Sequence, residues 1–256
     1  MPLLDTLSKH LENLAAAQGG VLGVPPELVA DDSPDWVRAT DLLRKPYDGL
    51  RALVEETAGR WGAAPHVGAA LLWKTYGYWH TLPMVLGWAL ERRVPLMRLD
   101  DTLVKSSPAG VTVAATEVTV AVLPDDPLAG APGTLVVPDL AAAIRGSLMD
   151  GQLPVIKALN DLTKVGERTL WGSTAEAIVY PITRLGADGT DGGAADAHGE
   201  AARLLDAIGA PVAGLVVPEG DSFRRRTCCL WITVESADPC STCCIRSPDR
   251  LAKASR

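Results

Sequence analysis

Residues 224–244, RRRTCCLWITVESADPCSTCC, contain every cysteine of this 256-residue chain. A vicinal pair, Cys228-Cys229, is followed by ten other residues and then by Cys240, two residues and a second vicinal pair, Cys243-Cys244. Cysteines that only fill a core behave as small hydrophobes and are usually scattered along a chain. Thiols clustered in this way, in a chain otherwise free of cysteine, predict ligands of a soft metal centre.

The spacing leaves the metal open between zinc and an iron–sulfur cluster. Structural zinc sites usually use two C-x2-C pairs, and only Cys240 and Cys243 have that spacing. Consecutive residues of an extended chain project to opposite faces, so Cys228 and Cys229 reach one metal only if the backbone kinks there. A [2Fe–2S] cluster relaxes that demand because its ligands are divided between two irons. Spacing alone therefore favours [2Fe–2S] slightly and keeps zinc as the alternative.

Composition narrows the class of protein. The formal net charge is −7, and an acidic chain without a basic tail argues against nucleic acid and anionic membranes as partners. Charged residues from Asp5 onward interrupt the apolar run that a secretory signal would need. The most apolar stretch, residues 67–90, contains Lys74 and Pro83 and predicts a buried pair of helices, not an integral membrane span. We expect a cytoplasmic protein, in which thiols stay reduced.

Hydrophobic periodicity predicts an α+β fold with a mostly α-helical body. Helical periods occupy residues 3–17, 36–43, 47–61, 65–78, 83–92, 140–148, 153–165, 170–182 and 197–208. Short alternating or apolar runs at residues 111–113, 118–122 and 134–137 predict a small antiparallel strand element. The Gly- and Asp-rich residues 186–199 predict a solvated loop. We place a helical, substrate-binding body at residues 1–217 and a C-terminal metal-binding appendage at residues 218–256.

The cysteine segment resembles the C-terminal signature of the FhuF-type ferric siderophore reductases. In that family C-C-x10-C-x2-C holds a [2Fe–2S] cluster, and Cys228, Cys229, Cys240 and Cys243 match the signature residue for residue. The resemblance covers roughly residues 223–244 and implies an iron–sulfur appendage whose four ligands are these cysteines. Cys244 departs from the signature, which has proline there, so the role of this thiol stays open.

The family resemblance also implies a function. It predicts a cytoplasmic iron–sulfur oxidoreductase that releases iron from a hydroxamate-type ferric siderophore by one-electron reduction. Siderophores hold ferric iron through hard oxygen donors and ferrous iron far more weakly, so one electron frees the metal. The chain contains no G-x-G-x-x-G after a strand and no G-x-x-x-x-G-K-[ST], which predicts an external electron donor, either a ferredoxin-like protein or a reductase.

Three arginines precede the first cysteine pair. Arg224, Arg225 and Arg226 are candidates for raising the potential of an anionic cluster or for docking an acidic electron donor. A solvated basic turn is the other interpretation.

The most aromatic stretch of the chain offers a weak candidate for a substrate pocket. Trp73, Tyr76 and His80 share one face of a predicted helix. Such a face could line a pocket for a bulky iron complex, although core packing is the more common role.

Two further functions stay open. One is a zinc-stabilised, non-catalytic binding or scaffold protein, which would be colourless. The other is a pure [2Fe–2S] electron carrier or redox sensor, which would not distinguish ferric siderophores from inert ferric chelates. The long helical body argues against the carrier, because carrying one electron needs no such volume.

Overall fold

The computed structural model describes residues 2–18, 28–107, 110–187, 193–220, 222–235 and 237–245. The helices are α1 (Asp5–Gln18), α2 (Ala39–Leu42), α3 (Asp48–Arg60), α4 (Pro65–Glu91), α5 (Leu140–Gly151), α6 (Leu153–Thr163), α7 (Glu167–Ala187) and α8 (Gly193–Ile208). The strands are β1 (Val37–Arg38), β2 (Val94–Leu96), β3 (Thr102–Ser107), β4 (Gly110–Ala115), β5 (Thr119–Val122), β6 (Thr134–Val136), β7 (Val216–Glu219) and β8 (Ser222–Arg225). These elements confirm the predicted α+β class with a mostly helical body.

The strands form small sheets, as predicted. Strands β1, β3 and β4 make one antiparallel sheet, and β7 pairs with β8 in an antiparallel hairpin. In another sheet β5 pairs antiparallel with β2 and parallel with β6. The parallel pair was not expected, because alternation along a strand specifies which side chains are buried but not the direction of the neighbouring strand.

The chain divides into two compact units. The first contains Met1–Arg44 and Thr75–Val155, and the second contains Lys45–Lys74 and Ile156–Arg256. The first unit holds the two three-stranded sheets, and the second holds the β7–β8 hairpin together with α7 and α8. The boundary predicted between residues 217 and 218 lies inside the second unit. An appendage whose order depends on metal stays a prediction.

Helix α4 is continuous from Pro65 to Glu91, so the predicted break near Pro83 is wrong. Pro83 lacks a backbone N–H and removes one hydrogen bond of the helix. Its neighbours Leu82, Met84 and Val85 are at most 1% exposed. Burying such side chains contributes roughly 1.5–3 kcal/mol each, which outweighs one missing bond. In the described ranges, none of the helices combines the length and the apolar character needed to cross a bilayer.

Part of the predicted loop at residues 186–199 is helical. Helix α7 reaches Ala187 and α8 begins at Gly193, while residues 188–192 lie outside the described residues. Alanine is the strongest helix former, and α8 is rich in it. The helix also buries an apolar face that includes Leu204, Leu205 and Ile208. Local composition alone suggested a loop, whereas helix propensity and packing extend the helix.

The core of the first unit contains a buried polar cluster. Met97 donates its N–H to the hydroxyl of Ser147 at 2.8 Å, and that hydroxyl donates back to the Met97 carbonyl at 3.0 Å. Nearby, the amide nitrogen of Gln152 lies 3.1 Å from Nδ1 of His80 and 2.8 Å from the Thr81 hydroxyl. His80 is fully buried, and burial lowers its pKa to about 3. The imidazole is therefore neutral.

Candidate metal centre

Strand β8 leads directly into the cysteine segment and sets which side chains face the interior. The hairpin turns at Gly220, whose φ is +59°. Successive side chains of a strand alternate between faces. Phe223 and Arg225 are accordingly buried, while Arg224 is half-buried and Arg226 is exposed. The three arginines therefore do not share one exposed face, and a role for each in tuning the potential or docking a donor stays a prediction.

The guanidinium of Arg225 is held in the interior by helix α7. Its Nη1 donates to Oε2 of Glu176 at 2.9 Å, and its Nη2 donates to Oγ of Ser173 at 3.0 Å. Nζ of Lys74, from α4, lies 3.9 Å from the same carboxylate oxygen. The other carboxylate oxygen accepts a hydrogen bond from the hydroxyl of Thr242. Glu176 thus connects two cations to the turn between Cys240 and Cys243. We call Glu176, Arg225, Lys74 and Thr242 the Glu176 network.

Helix α7 approaches the cysteine segment closely at one glycine. A Cβ atom on Gly172 would overlap the hydroxyl of Thr227 and would lie 3.3 Å from Nη2 of Arg225. Thr227 directly precedes Cys228 and is 8% exposed. Because only glycine leaves this space, Gly172 allows α7 to pack against the backbone that carries the first cysteine pair.

Three of the cysteine sulfurs accept a hydrogen bond from the backbone N–H of the residue two positions further along the chain. The N–H of Leu230 donates to Sγ of Cys228 at 3.3 Å, and the N–H of Ile245 donates to Sγ of Cys243 at 3.4 Å. The N–H of Trp231 likewise donates a hydrogen bond to the sulfur of Cys229. Leu230 has a φ of 64°, so the backbone kinks directly after the vicinal pair. That kink lets both N–H groups turn back toward the sulfurs.

The fourth sulfur of the signature has a side-chain neighbour at the same spacing. Sγ of Cys240 lies 3.8 Å from Oγ1 of Thr242. The hydroxyl of Thr242 donates its proton to Glu176. The turn is closed by a bond from the N–H of Cys243 to the carbonyl of Cys240 at 3.0 Å. Three signature cysteines therefore accept a backbone N–H from two residues further along the chain, and Cys240 has the Thr242 side chain at that spacing.

The thiols lie in pairs. Cys229 is hydrogen-bonded to Cys240, and Cys228 is hydrogen-bonded to Cys244. Cys243 is close enough to Cys228 and Cys244 to interact electrostatically with both. Within the described ranges, no three His, Cys, Asp or Glu side chains have a geometry that could hold one metal ion. The structure thus brings all five thiols into one place and adds a contact of Cys244 that the spacing did not indicate.

Charge and burial separate the pKa values of the thiols. The hydrogen bond from Cys240, together with the nearby Lys74 and Arg225, lowers the pKa of Cys229 to about 5. The same hydrogen bond raises the pKa of Cys240. Burial raises the pKa of Cys228, and burial with the neighbouring Cys228 raises the pKa of Cys244 to about 11. The hydrogen bond from Cys240 and the two neighbouring cations thus favour a thiolate, which is the form that binds metal, at Cys229.

The donor set fits a [2Fe–2S] cluster in chemistry. Thiolate sulfur is the usual ligand of such clusters, and hydrogen bonds to sulfur and nearby charge set their potential. Two further buried groups beside the cysteines, Nε of Arg225 and the hydroxyl of Thr227, have no hydrogen-bond partner among the described residues. Buried polar groups normally find one, so these two remain available to an additional group at this place.

The weak candidates for a substrate pocket are interior residues. Trp73 is 0% exposed and donates from Nε1 to the carbonyl of Leu170 at 2.9 Å in the second unit. Tyr76 and His80 belong to the first unit, are at most 3% exposed and stack with ring centroids 6.0 Å apart. Their placement is that of core residues, and a role in substrate binding stays an untested prediction.

Sequence reasoning missed the residues that surround the thiols. Glu176 lies 49 residues before Arg225 and 66 before Thr242, so no local spacing relates them. Lys74 gave one signal, as a charge inside the most apolar stretch of the chain. A cation in such a place usually has an ionic partner, and this one pairs with Glu176.

No protein-family model matches the chain, and no curated protein sequence matches it. Among solved structures the chain is similar to the ATP-bound aerobactin synthetase IucA from a hypervirulent pathotype of Klebsiella pneumoniae. The two are 17% identical with a TM-score of 0.47, and the similarity covers 59% of this chain and 29% of that chain. A likeness this weak says nothing about the function of this chain. The resemblance to the reductase signature is one of the cysteine motif alone.

Proposed function

We propose that this protein is a cytoplasmic [2Fe–2S] oxidoreductase that reduces hydroxamate-type ferric siderophores and thereby releases their iron. The observation that supports the proposal best is the sulfur arrangement. The cysteines of a C-C-x10-C-x2-C motif lie together, three of them accept a backbone N–H from two residues further along the chain, and the cations Arg225 and Lys74 lie beside them.

The ligands of the cluster would be Cys228, Cys229, Cys240 and Cys243. When bound, a [2Fe–2S] cluster supplies one electron at a time. The backbone N–H groups and the cations around the sulfurs offset negative charge on the thiolates, which favours an electron-rich centre.

The Glu176 network holds compensating positive charge at a fixed position beside the thiolates. Lys74 and Arg225 contribute two positive charges and Glu176 one negative charge, which leaves one net positive charge next to the thiolates. Arg225 is 1% exposed, so solvent and salt screen its field far less than that of a surface residue. The network also anchors the turn between the last two ligands through Thr242.

The substrate follows from the chemistry of iron. A centre that delivers single electrons suits an acceptor whose one-electron product separates by itself. Ferric iron in a hydroxamate siderophore meets this requirement, since reduction to ferrous iron weakens its bonds to hard oxygen donors. No covalent bond of the siderophore has to break.

The electron must come from another protein. Cys228, Cys240 and Cys244 are only half-buried, so one side of the centre is open to a partner. Arg226, exposed two residues before Cys228, is placed to attract an acidic donor such as a ferredoxin-like protein or a reductase.

Iron and sulfide analysis of anaerobically purified protein tests the proposal first. We expect two iron and two sulfide per chain, as the cluster formula requires, and a red-brown colour that dithionite bleaches. Colourless protein that contains zinc would support the scaffold alternative and contradict the reductase.

A further inference from the structure

A cavity of about 210 Å³ adjoins the candidate centre within the second unit. Ser241 and Thr242, which separate Cys240 from Cys243, form part of its wall. Helices α7 and α8 and strands β7 and β8 supply the rest. The lining residues that matter here are Tyr180, Thr183, Arg184, His198 and Ser222.

We infer that this cavity binds one limb of an oxygen-rich ferric chelate and so holds the substrate beside the cluster ligands. The inference rests on the proposed function and gives it a binding site. It moves the expected pocket away from Trp73, Tyr76 and His80, which are interior residues, to a surface cavity formed with the cysteine segment.

The lining offers hydrogen-bond donors and one clear positive charge. The hydroxyl of Ser222 can donate, whereas the hydroxyls of Thr183 and Thr242 already donate to the Tyr180 carbonyl and to Glu176. The guanidinium of Arg184 lies 5.6 Å from the ring of Tyr180 and is exposed. Glu176 also lines the cavity, but its carboxylate is already engaged by Arg225, Lys74 and Thr242. The wall therefore suits a ligand of carbonyl and N–O oxygens, which are acceptors.

The volume limits how much of a ligand can enter. Pockets that enclose a drug-sized molecule measure roughly 300–1,000 Å³, and this cavity is smaller. It can take one chelating limb and leave the rest of the complex in solvent. Such a site would contact the hydroxamate group more than the chain that links the hydroxamates of the siderophore. We therefore expect the protein to bind hydroxamate siderophores that differ in this linking chain.

The position brings the bound iron near the electron source. Ser241 and Thr242 are each one residue from a predicted ligand, and consecutive Cα atoms are about 3.8 Å apart. A chelate that touches these two residues is therefore separated from the sulfurs by little more than the turn itself.

The test uses a chelate that cannot be reduced. Gallium(III) replaces ferric iron in desferrioxamine B, and calorimetric titration of the holoprotein with this complex reports binding alone. Thr183→Trp fills the cavity and Arg184→Ala removes its cation. We expect each to weaken binding by at least about tenfold, which corresponds to about 1.4 kcal/mol. Arg168→Ala is the matched control, since Arg168 is also exposed on α7 but does not line the cavity.

The outcomes separate the site from the reaction. Iron content and ferricyanide reduction by each dithionite-treated variant should match the wild type, which shows an intact centre. If both variants bind the gallium complex as tightly as the wild type, or if the wild type does not bind it, the cavity is not the site. If the wild type reduces ferric desferrioxamine B in either case, the proposed function still stands. Cavity-dependent binding of gallium without reduction of the ferric complex would keep the site and reject the reductase.

Discussion

Glu176 on α7 and Arg225 on β8 form a largely buried ion pair, with 2.9 Å between Oε2 and Nη1 and side-chain exposures of 18% and 1%. Arg225 lies three residues before the first cysteine. The same carboxylate accepts from Thr242, between the last two predicted ligands. One glutamate therefore ties both ends of the cysteine motif to a single helix. The motif is anchored by protein contacts in addition to any metal that it binds.

Replacing Arg225 by Met should destabilise the fold strongly. Removing Arg225 leaves Glu176 with Lys74 alone, at 3.9 Å, as its counter-charge, and the loss of one partner of a buried ion pair costs up to about 3–5 kcal/mol. Urea denaturation measures the loss in the free energy of unfolding. The neighbouring Arg224→Met is the control, because Arg224 pairs with Glu219 near the surface, with side-chain exposures of 40% and 37%. It should cost less than about 1 kcal/mol. Equal losses in the two variants would mean that burial of Arg225 does not matter.

Gly172→Ala should lower both stability and iron content. The added methyl group would overlap the Thr227 hydroxyl and push α7 away from the strand that leads to Cys228. Thr227→Ala in the same protein removes the overlapping atom and should restore part of the bound iron. Gly146→Ala on α5, where nothing lies within 4 Å of the new Cβ, should be neutral or slightly stabilising. Full iron content in Gly172→Ala would show that the close approach is not required.

Serine at Cys228, Cys229, Cys240 or Cys243 should remove most of the bound iron, since a hydroxyl is a harder and weaker ligand for a soft site. Cys244→Ser should keep the cluster. The hydrogen bond between Cys244 and Cys228 makes this comparison informative, because it places a fifth thiol beside the predicted ligands. Iron analysis and the visible spectrum of each variant provide the measurement. If Cys244→Ser loses iron while Cys243→Ser retains it, the fourth ligand is Cys244 and not Cys243.

The free energy of unfolding should depend on pH because His80 is buried. Its pKa in the folded state is about 3, below the ordinary value near 6.5. The unfolded chain therefore binds a proton that the folded chain does not, and stability is lost as the pH falls below about 6.5. One such group contributes a slope that approaches about 1.4 kcal/mol per pH unit well below pH 6.5 and averages about 1 kcal/mol per unit between pH 7 and pH 5.

Urea denaturation between pH 7 and pH 5 isolates that contribution. His80→Phe should be less steep than the wild type by this amount, whatever its absolute stability. His66→Phe, at the exposed start of α4, leaves the buried imidazole in place and should keep the wild-type slope. Parallel curves for His80→Phe and the wild type would show that burial of His80 does not shift its titration.

The sequence was most informative where the chemistry is local. Clustered thiols indicated the candidate centre, and helical and strand periods predicted the α+β class. Strand alternation could also have separated Arg225 from Arg224 and Arg226, had β8 been recognised as a strand. Glu176 could not be found this way, because its role depends on side chains distant in sequence. The continuity of α4 across Pro83 likewise depends on burial, which outweighs a local helix-breaking signal.

The central claim is that electrons pass from this protein to a ferric siderophore. Stopped-flow absorbance of the dithionite-reduced protein, mixed with ferric desferrioxamine B and a ferrous chelator, follows the transfer directly. We expect the visible band of the oxidised cluster to return rapidly as the ferrous chelate appears, one iron for each electron. A protein that stays reduced with ferric siderophores, yet passes electrons readily to other redox proteins, would be an electron carrier and would contradict the account.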